Sequence, residues 1–180
     1  AIVDADVMTP LLASIQQVGA LLSTGEDTKD ETVELACILL DLLWELCESS
    51  VAAVERFNAA GPAFPTSLAQ LVCPPLSTAA PSVAASAAQC LHVLSEDNPQ
   101  TGEIFKANPA ALAAIHGVIA DPSTPHLVSS LCAGTILNLG PEFRPADLPA
   151  SLHRIFSAAM SQDHMEGLPQ ALSQVHAAAT

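Results

Sequence analysis

The sequence has no tyrosine, one tryptophan and only 3% aromatic residues, and just five of its 180 residues are basic. Those bases, Lys29, Arg56, Lys106, Arg144 and Arg154, are scattered singly. Without a basic patch the chain cannot neutralise a phosphate backbone, so neither nucleic acid nor an anionic membrane surface is expected as a direct partner. Long apolar runs are also missing. Ala36–Leu40 and Leu42–Trp44 are separated by Asp41, well short of the roughly 20 residues that cross a bilayer. No basic segment followed by an apolar stretch opens the chain, so no signal peptide is expected. The five cysteines (Cys37, Cys47, Cys73, Cys90, Cys132) are odd in number and form no CxxC pair. A disulfide framework or a zinc site would want tighter, paired spacing, so the pattern fits buried free thiols in a reducing compartment best, the cytoplasm or nucleus. There is no HExxH, no GxSxG elbow and no glycine-rich phosphate loop. No catalytic residue, metal ligand or cofactor is therefore nominated.

What the sequence does have is apolar helix and acid. Half the residues are hydrophobic, and 19 acids against five bases give a net charge of −14. This composition excludes general disorder. The acidity favours a basic partner, although it would equally keep an apolar helical array in solution. No segment alternates apolar and polar residues around β-branched side chains, so no sheet is expected.

The punctuation reads as a chain of helices. Thr9-Pro10 predicts a helix to about Leu22, with threonine as cap and proline first in the helix. Ser23–Asp30 predicts an acidic loop. Thr28 and Glu31 match a capping box that opens a long helix to about Cys47, apolar almost all round and so expected to be buried on several sides. Ser49-Ser50 breaks it, and a short helix Val51–Ala59 stops at Gly61. Helices are expected at about Thr66–Val72, Pro81–Leu94, Pro99–Asn108, Pro109–Ala120, Pro125–Leu139, Leu148–Met160 and Leu168–Ala178, with Cys73–Ala80 as a loop.

These helices repeat. The triplets Leu39, Leu43, Leu46; Ala87, Leu91, Leu94; and Cys132, Ile136, Leu139 each share the spacing i, i+4, i+7 and recur after 48 and then 45 residues. Phe57 and Phe105 each lie 11 residues beyond their triplet. Gly61 and Asn108 follow, and Asp6 sits at the matching place, all residue types that tolerate positive φ. A unit of this period cannot bury its apolar face alone and must stack on its neighbours.

This arrangement is similar to the armadillo repeat. IVDADVMTPLL, ERFNAAGPAFPTSLAQL and IFKANPAALAAI resemble that family's short helix, turn and second helix. LLDLLWEL, AAQCLHVL and CAGTILNL resemble its long third helix. The tail after Leu148 looks more like a two-helix HEAT-type unit. The expectation is an all-α, right-handed α–α superhelix of armadillo-like and HEAT-like repeats, with units at about 1–48, 49–95, 96–140 and 141–180. The opening Ala1-Ile2-Val3-Asp4 reads as the inside of a pattern, so the chain is expected to be a piece of a longer solenoid.

The resemblance implies a peptide-binding concave face lined by third helices. In the related import receptors a tryptophan and an asparagine four residues later recur there. Asn138 stands at the asparagine position, with Gly134 in place of its tryptophan. Asp41 and Gln89 occupy the tryptophan position of the other repeats, and Glu45 and Val93 the asparagine position. The usual import-signal pocket is therefore absent. Glu34, Asp41, Glu45 and Glu48 instead form one acidic stripe on the long helix. Glu34, Asp41, Glu45, Glu48, Gln89 and Asn138 are the candidate partner-binding residues. Within its class the chain looks most like the fungal symportin type of adaptor, which implies ribosomal proteins as cargo and an import receptor as co-partner. A structural subunit of a large assembly and an armadillo-type nucleotide exchange factor for a chaperone ATPase are the alternatives.

Overall fold

A computed structural model describes residues 7–24 and 30–159. Ten α-helices and a 3-10 turn are found among them, with no strand. They are α1 (Met8–Thr24), α2 (Asp30–Ser49), α3 (Val51–Ala59), α4 (Ala63–Leu71), α5 (Leu76–Ala79), α6 (Pro81–Ser95), α7 (Pro99–Ala107), α8 (Pro109–Ala120), α9 (His126–Leu139) and α10 (Leu148–Ala159). The 3-10 turn is Pro141–Phe143. The helices form two layers. The long helices α2, α6 and α9 pack side by side in one; α1, α4, α8 and α10 succeed one another in the other. Pairs α1/α2, α4/α6 and α8/α9 close the space between the layers, and the short α3 and α7 sit at the joints. This is an all-α solenoid.

The layer of long helices follows from the triplets. Leu43, Leu91 and Ile136, the central members, are essentially inaccessible, as are Ala87, Leu94 and Cys132. Small residues at Ala84, Ala87, Ala88 and Cys90 let α6 come close to both neighbours, and all four are buried. Cys90 Sγ donates to the Leu40 carbonyl of α2 at 3.2 Å. A Cβ on Gly134 of α9 would stand 2.8 Å from His92 Cε1 on α6. Glycine there permits the close approach. Phe57 and Phe105, the repeated aromatics, are both fully buried at the joints, and Phe57 meets Phe64 edge-on at 5.4 Å.

Side-chain amides tie the joints. Asn58 and Asn98 exchange amide hydrogen bonds at 3.1 and 3.3 Å. Asn98 Nδ2 and Thr101 Oγ1 both donate to the Leu94 carbonyl, satisfying an acceptor that the end of α6 would otherwise leave open. Gly61 has φ +90°, the left-handed stop expected there.

Several local expectations are corrected. α1 begins at Met8, so Thr9 is inside the helix rather than its cap. Asn108 has φ −129° and not the left-handed value expected: it closes α7 and at the same time caps α8, its Oδ1 accepting from the Ala111 N–H at 3.2 Å. The left-handed non-glycine residue among those described is Asp97, φ 46°. The Cys73–Ala80 segment is no plain loop, since it carries a cis Pro74-Pro75 bond and the single helical turn α5. Helix α2 is not buried on several sides. Leu35, Ile38 and Leu42 are exposed. The Thr28 cap, Asp6, the opening segment and the helix at 168–178 lie outside the described residues.

Candidate functional site

Helix α2 shows three faces. Ala36, Leu40, Leu43 and Cys47 recur at spacings of four and three and are buried. Opposite them, at 3.6 residues per turn, Glu34, Asp41, Glu45 and Glu48 fall within an arc of about 60°, and all four are exposed. Leu35, Ile38 and Leu42 form the adjoining flank. On its other flank α2 packs on α6, where Ser86 Oγ donates to Asp41 Oδ1 at 2.8 Å. That bond fixes Asp41 at the junction of the two long helices. Among the described residues no lysine or arginine pairs with Glu34, Asp41, Glu45 or Glu48. Four like charges along one helix face repel one another mildly. Exposure to water makes this tolerable, and a basic ligand would relieve it.

The stripe leads into a cleft of about 470 Å³ between the end of α2, α3 and the end of α6. Glu48 lines it together with Glu55, Glu96 and Asp97, and the half-buried Val54 and Val93 and the exposed Val51 are its apolar lining. No lysine or arginine is among the lining residues. Glu55, Glu96 and Asp97 were not among the residues nominated from sequence. A signal existed for one of them: Glu96 follows Glu48 by 48 residues, the interval that separates the first two triplets. Asp97, in the left-handed region just past α6, and Glu96 line the cleft opposite Glu55 of α3.

The two remaining candidates differ from the acids. Gln89 is half-buried on α6. Asn138 is exposed on α9 but turned back towards α6: its Nδ2 donates to Ser95 Oγ at 3.2 Å and lies 3.4 Å from both Nδ1 and the carbonyl of His92. Its amide nitrogen works as a clip between α6 and α9. Trp44 is half-buried against the core, with its indole N–H buried and unpartnered.

Serine hydroxyls and histidine rings are engaged within the fold. Ser14, Ser23, Ser49, Ser67 and Ser130 donate to carbonyls one turn back. His116 Nε2 meets the Phe143 carbonyl at 2.8 Å, and His126 Nε2 meets the Ile155 carbonyl at 2.7 Å, so both rings staple neighbouring elements. All five thiols are free. Burial raises the Cys47 thiol from its ordinary 9.0 to about 12 and pushes Cys73, Cys90 and Cys132 upward too, which keeps them protonated and poor nucleophiles. No cluster of three or more histidine, cysteine, aspartate or glutamate side chains suited to a metal ion occurs among the described residues. No described helix is long and apolar enough to cross a membrane.

Comparison with known proteins agrees with this plan. The chain is 32% identical over 174 residues to HEAT repeat-containing protein 3 of Homo sapiens and 28% identical over 176 residues to the mouse protein of the same name. The likeness supports a HEAT-repeat family. It takes in 88% and 87% of this chain, and the chain spans 24% of the length of each relative. No known family pattern and no solved structure matches the chain. HEAT-repeat relatives and a two-layer helical stack together fit a repeat-protein scaffold or adaptor.

Proposed function

We propose that the chain is a non-enzymatic adaptor that holds a basic protein segment against the acidic side of its long-helix layer. The observation that carries this reading is the cleft, in which Glu48, Glu55, Glu96 and Asp97 gather around three valines with no base among the lining residues. Lysine and arginine suit such a surface, because their aliphatic stems cover the valines while their charged heads meet the carboxylates. The stripe of Glu34, Asp41 and Glu45 extends the same field along α2, and Gln89 on α6 supplies an amide on the neighbouring long helix, whereas the Asn138 amide nitrogen is taken up between α6 and α9. Very basic ribosomal proteins have the right chemistry for this surface. Their delivery to the nucleus with an import receptor is the fuller form of the proposal and places the protein in both cytoplasm and nucleus. The exposed apolar flank of α2 favours a second reading, a scaffold subunit that docks through helix packing.

The test is binding of a fluorescently labelled arginine- and lysine-rich peptide at rising salt. Wild type is expected to weaken steeply as salt rises, since exposed charge pairs are screened within about 10 Å at 0.1 M. Glu48→Lys/Glu96→Lys is expected to lose tenfold or more in affinity, and Asp41→Lys/Glu45→Lys a smaller factor. Binding that ignores both salt and these reversals would remove the adaptor reading and leave the scaffold.

A further inference from the structure

Leu35, Ile38 and Leu42 of α2 are 46%, 57% and 44% exposed and stand at the spacing i, i+3, i+7. That is the spacing of the seam along which one helix packs on another in a coiled coil. The charges around this seam are ordered on the same period. Glu34, Asp41 and Glu48 recur every seven residues and form one edge of it. Glu31 and Glu45, each seven residues from Ile38, close its two ends. All five acids are exposed. The apolar centre is therefore bordered by carboxylates on three sides, with the half-buried Leu39 and Leu46 on the fourth. The other long helices lack most of this border. In the repeat register Glu34 and Asp41 correspond to Ser82 and Gln89 on α6 and to Leu127 and Gly134 on α9, while Glu48 keeps an acidic counterpart in Glu96. The seams of α6 and α9 are covered from within the chain: Val83 and Cys90, and Val128 and Thr135, the counterparts of Leu35 and Leu42, are 0% exposed. The acidic border thus belongs to the seam that the described chain leaves open.

We infer that this face of α2 takes a basic amphipathic helix of a partner protein. Its apolar residues, at heptad spacing, lie against Leu35, Ile38 and Leu42, and lysine or arginine at seven-residue intervals meets Glu34, Asp41 and Glu48. The inference rests on the adaptor reading, to which it adds the conformation and sequence pattern of the bound segment. Basic side chains suit the border because their stems extend the apolar contact while their heads reach the carboxylates. Such flanking charges set partner choice and direction where helices pair. An extended basic segment would meet the acids without matching the period of the seam. A neutral helix would fill the centre but take water from the carboxylates and return nothing to them. A second copy meets like charge, since α2 carries six acids and no base. From Glu31 to Glu48 the border runs about 26 Å at 1.5 Å per residue, which a partner helix of about 18 residues covers. A helix of that length is marginal alone in water, so it folds as it binds.

The experiment compares three labelled peptides of about 18 residues for binding to the 180-residue chain. The first has leucine at heptad spacing with lysine and arginine along both edges of the seam. The second holds the same residues in an order without a helical period. The third keeps the leucines and replaces every base with glutamine. The first should bind about tenfold or more tightly than either of the others and should gain helical ellipticity as it binds. Ile38→Ser/Leu42→Ser, at exposed positions that the fold tolerates, should bring the first peptide down to the level of the second. Glu34→Gln/Asp41→Asn should bring it towards the level of the third. Equal binding of the first and second peptides would overturn the inference and leave the adaptor reading standing. Failure of both basic peptides to bind would remove the two together. A glutamine peptide that binds as tightly as the first would assign the face to plain helix packing. A dimer of the chain that Ile38→Ser/Leu42→Ser dissociates would assign it to a second copy.

Discussion

The two flanks of α2 differ by one neighbour, and most of the molecule's logic is visible in that difference. Both are apolar. On one side α6 lies against the helix, contributing Ser86 and Cys90 as donors to Asp41 and to the Leu40 carbonyl. On the other, Leu35, Ile38 and Leu42 meet solvent. Composition does not separate the two: a helix that reads as apolar all round in sequence is buried only where a partner stands. Between the flanks runs the acidic stripe, which must face water or a base in either case. In a solenoid, burial is therefore a property of the stack, not of the helix.

The largest test of this comparison is truncation on either side. Leu43→Ala opens a cavity beneath fully buried side chains and should cost about 3 kcal/mol. Ile38→Ala, 57% exposed, should cost less than about 0.5 kcal/mol. Urea denaturation of the 180-residue chain measures both. Near-equal losses would mean that the second flank is covered in solution.

Alkaline titration sharpens the same contrast at the end of α2. Cys47 lies on the buried face, and burial holds its thiol at about 12 against an ordinary 9.0. The folded chain thus keeps a proton that the unfolded chain releases. The resulting stability is fully present below pH 9, shrinks as the pH rises and is gone by about pH 12. Cys90 and Cys132, also raised by burial, act in the same direction. The urea midpoint should fall between pH 9 and 12, and Cys47→Ala should flatten part of that fall. A midpoint independent of pH over this range would show that Cys47 is solvated.

The helical plan was legible because punctuation and periodicity are local. Val51–Ala59 and Pro109–Ala120 appear at the expected bounds, each started or stopped by serine, proline or glycine. The buried central members of the triplets, Leu43, Leu91 and Ile136, and the paired phenylalanines were legible from the repeat, whereas Leu39, Leu46 and Leu139 are only partly buried. What escaped was non-local. Asn108 both ends one helix, its N–H bonding the Phe105 carbonyl, and begins the next, its side chain accepting from the Ala111 N–H, and only the second role needs the side chain. The polar cluster in the cleft needed the end of α6 to be brought against α3, so Glu55 and Asp97, with no counterpart in the acidic stripe, carried no signal. Asn138 matched a position in a known binding array, but its neighbours His92 and Ser95 become visible only when α9 lies on α6.

The smallest effect concerns a hydrogen bond that joins the packed flank to the acidic stripe. Ser86 Oγ donates to Asp41 Oδ1 at 2.8 Å across the α2–α6 interface, and both residues retain contact with solvent. Water competes for such a bond, so Ser86→Ala should cost no more than about 1 kcal/mol. A double-mutant cycle of Ser86→Ala with Asp41→Asn should return a coupling of about 0.5 kcal/mol or more. Ser86→Ala with Ile38→Ala should return none, because Ile38 lies on the opposite flank. The same bond bears on binding. A basic side chain approaching Asp41 competes with the serine hydroxyl for the carboxylate, so Ser86→Ala should leave binding of a basic peptide unchanged or tighten it slightly. Weaker binding in Ser86→Ala would mean that the serine, by orienting Asp41, contributes more to recognition than it withholds.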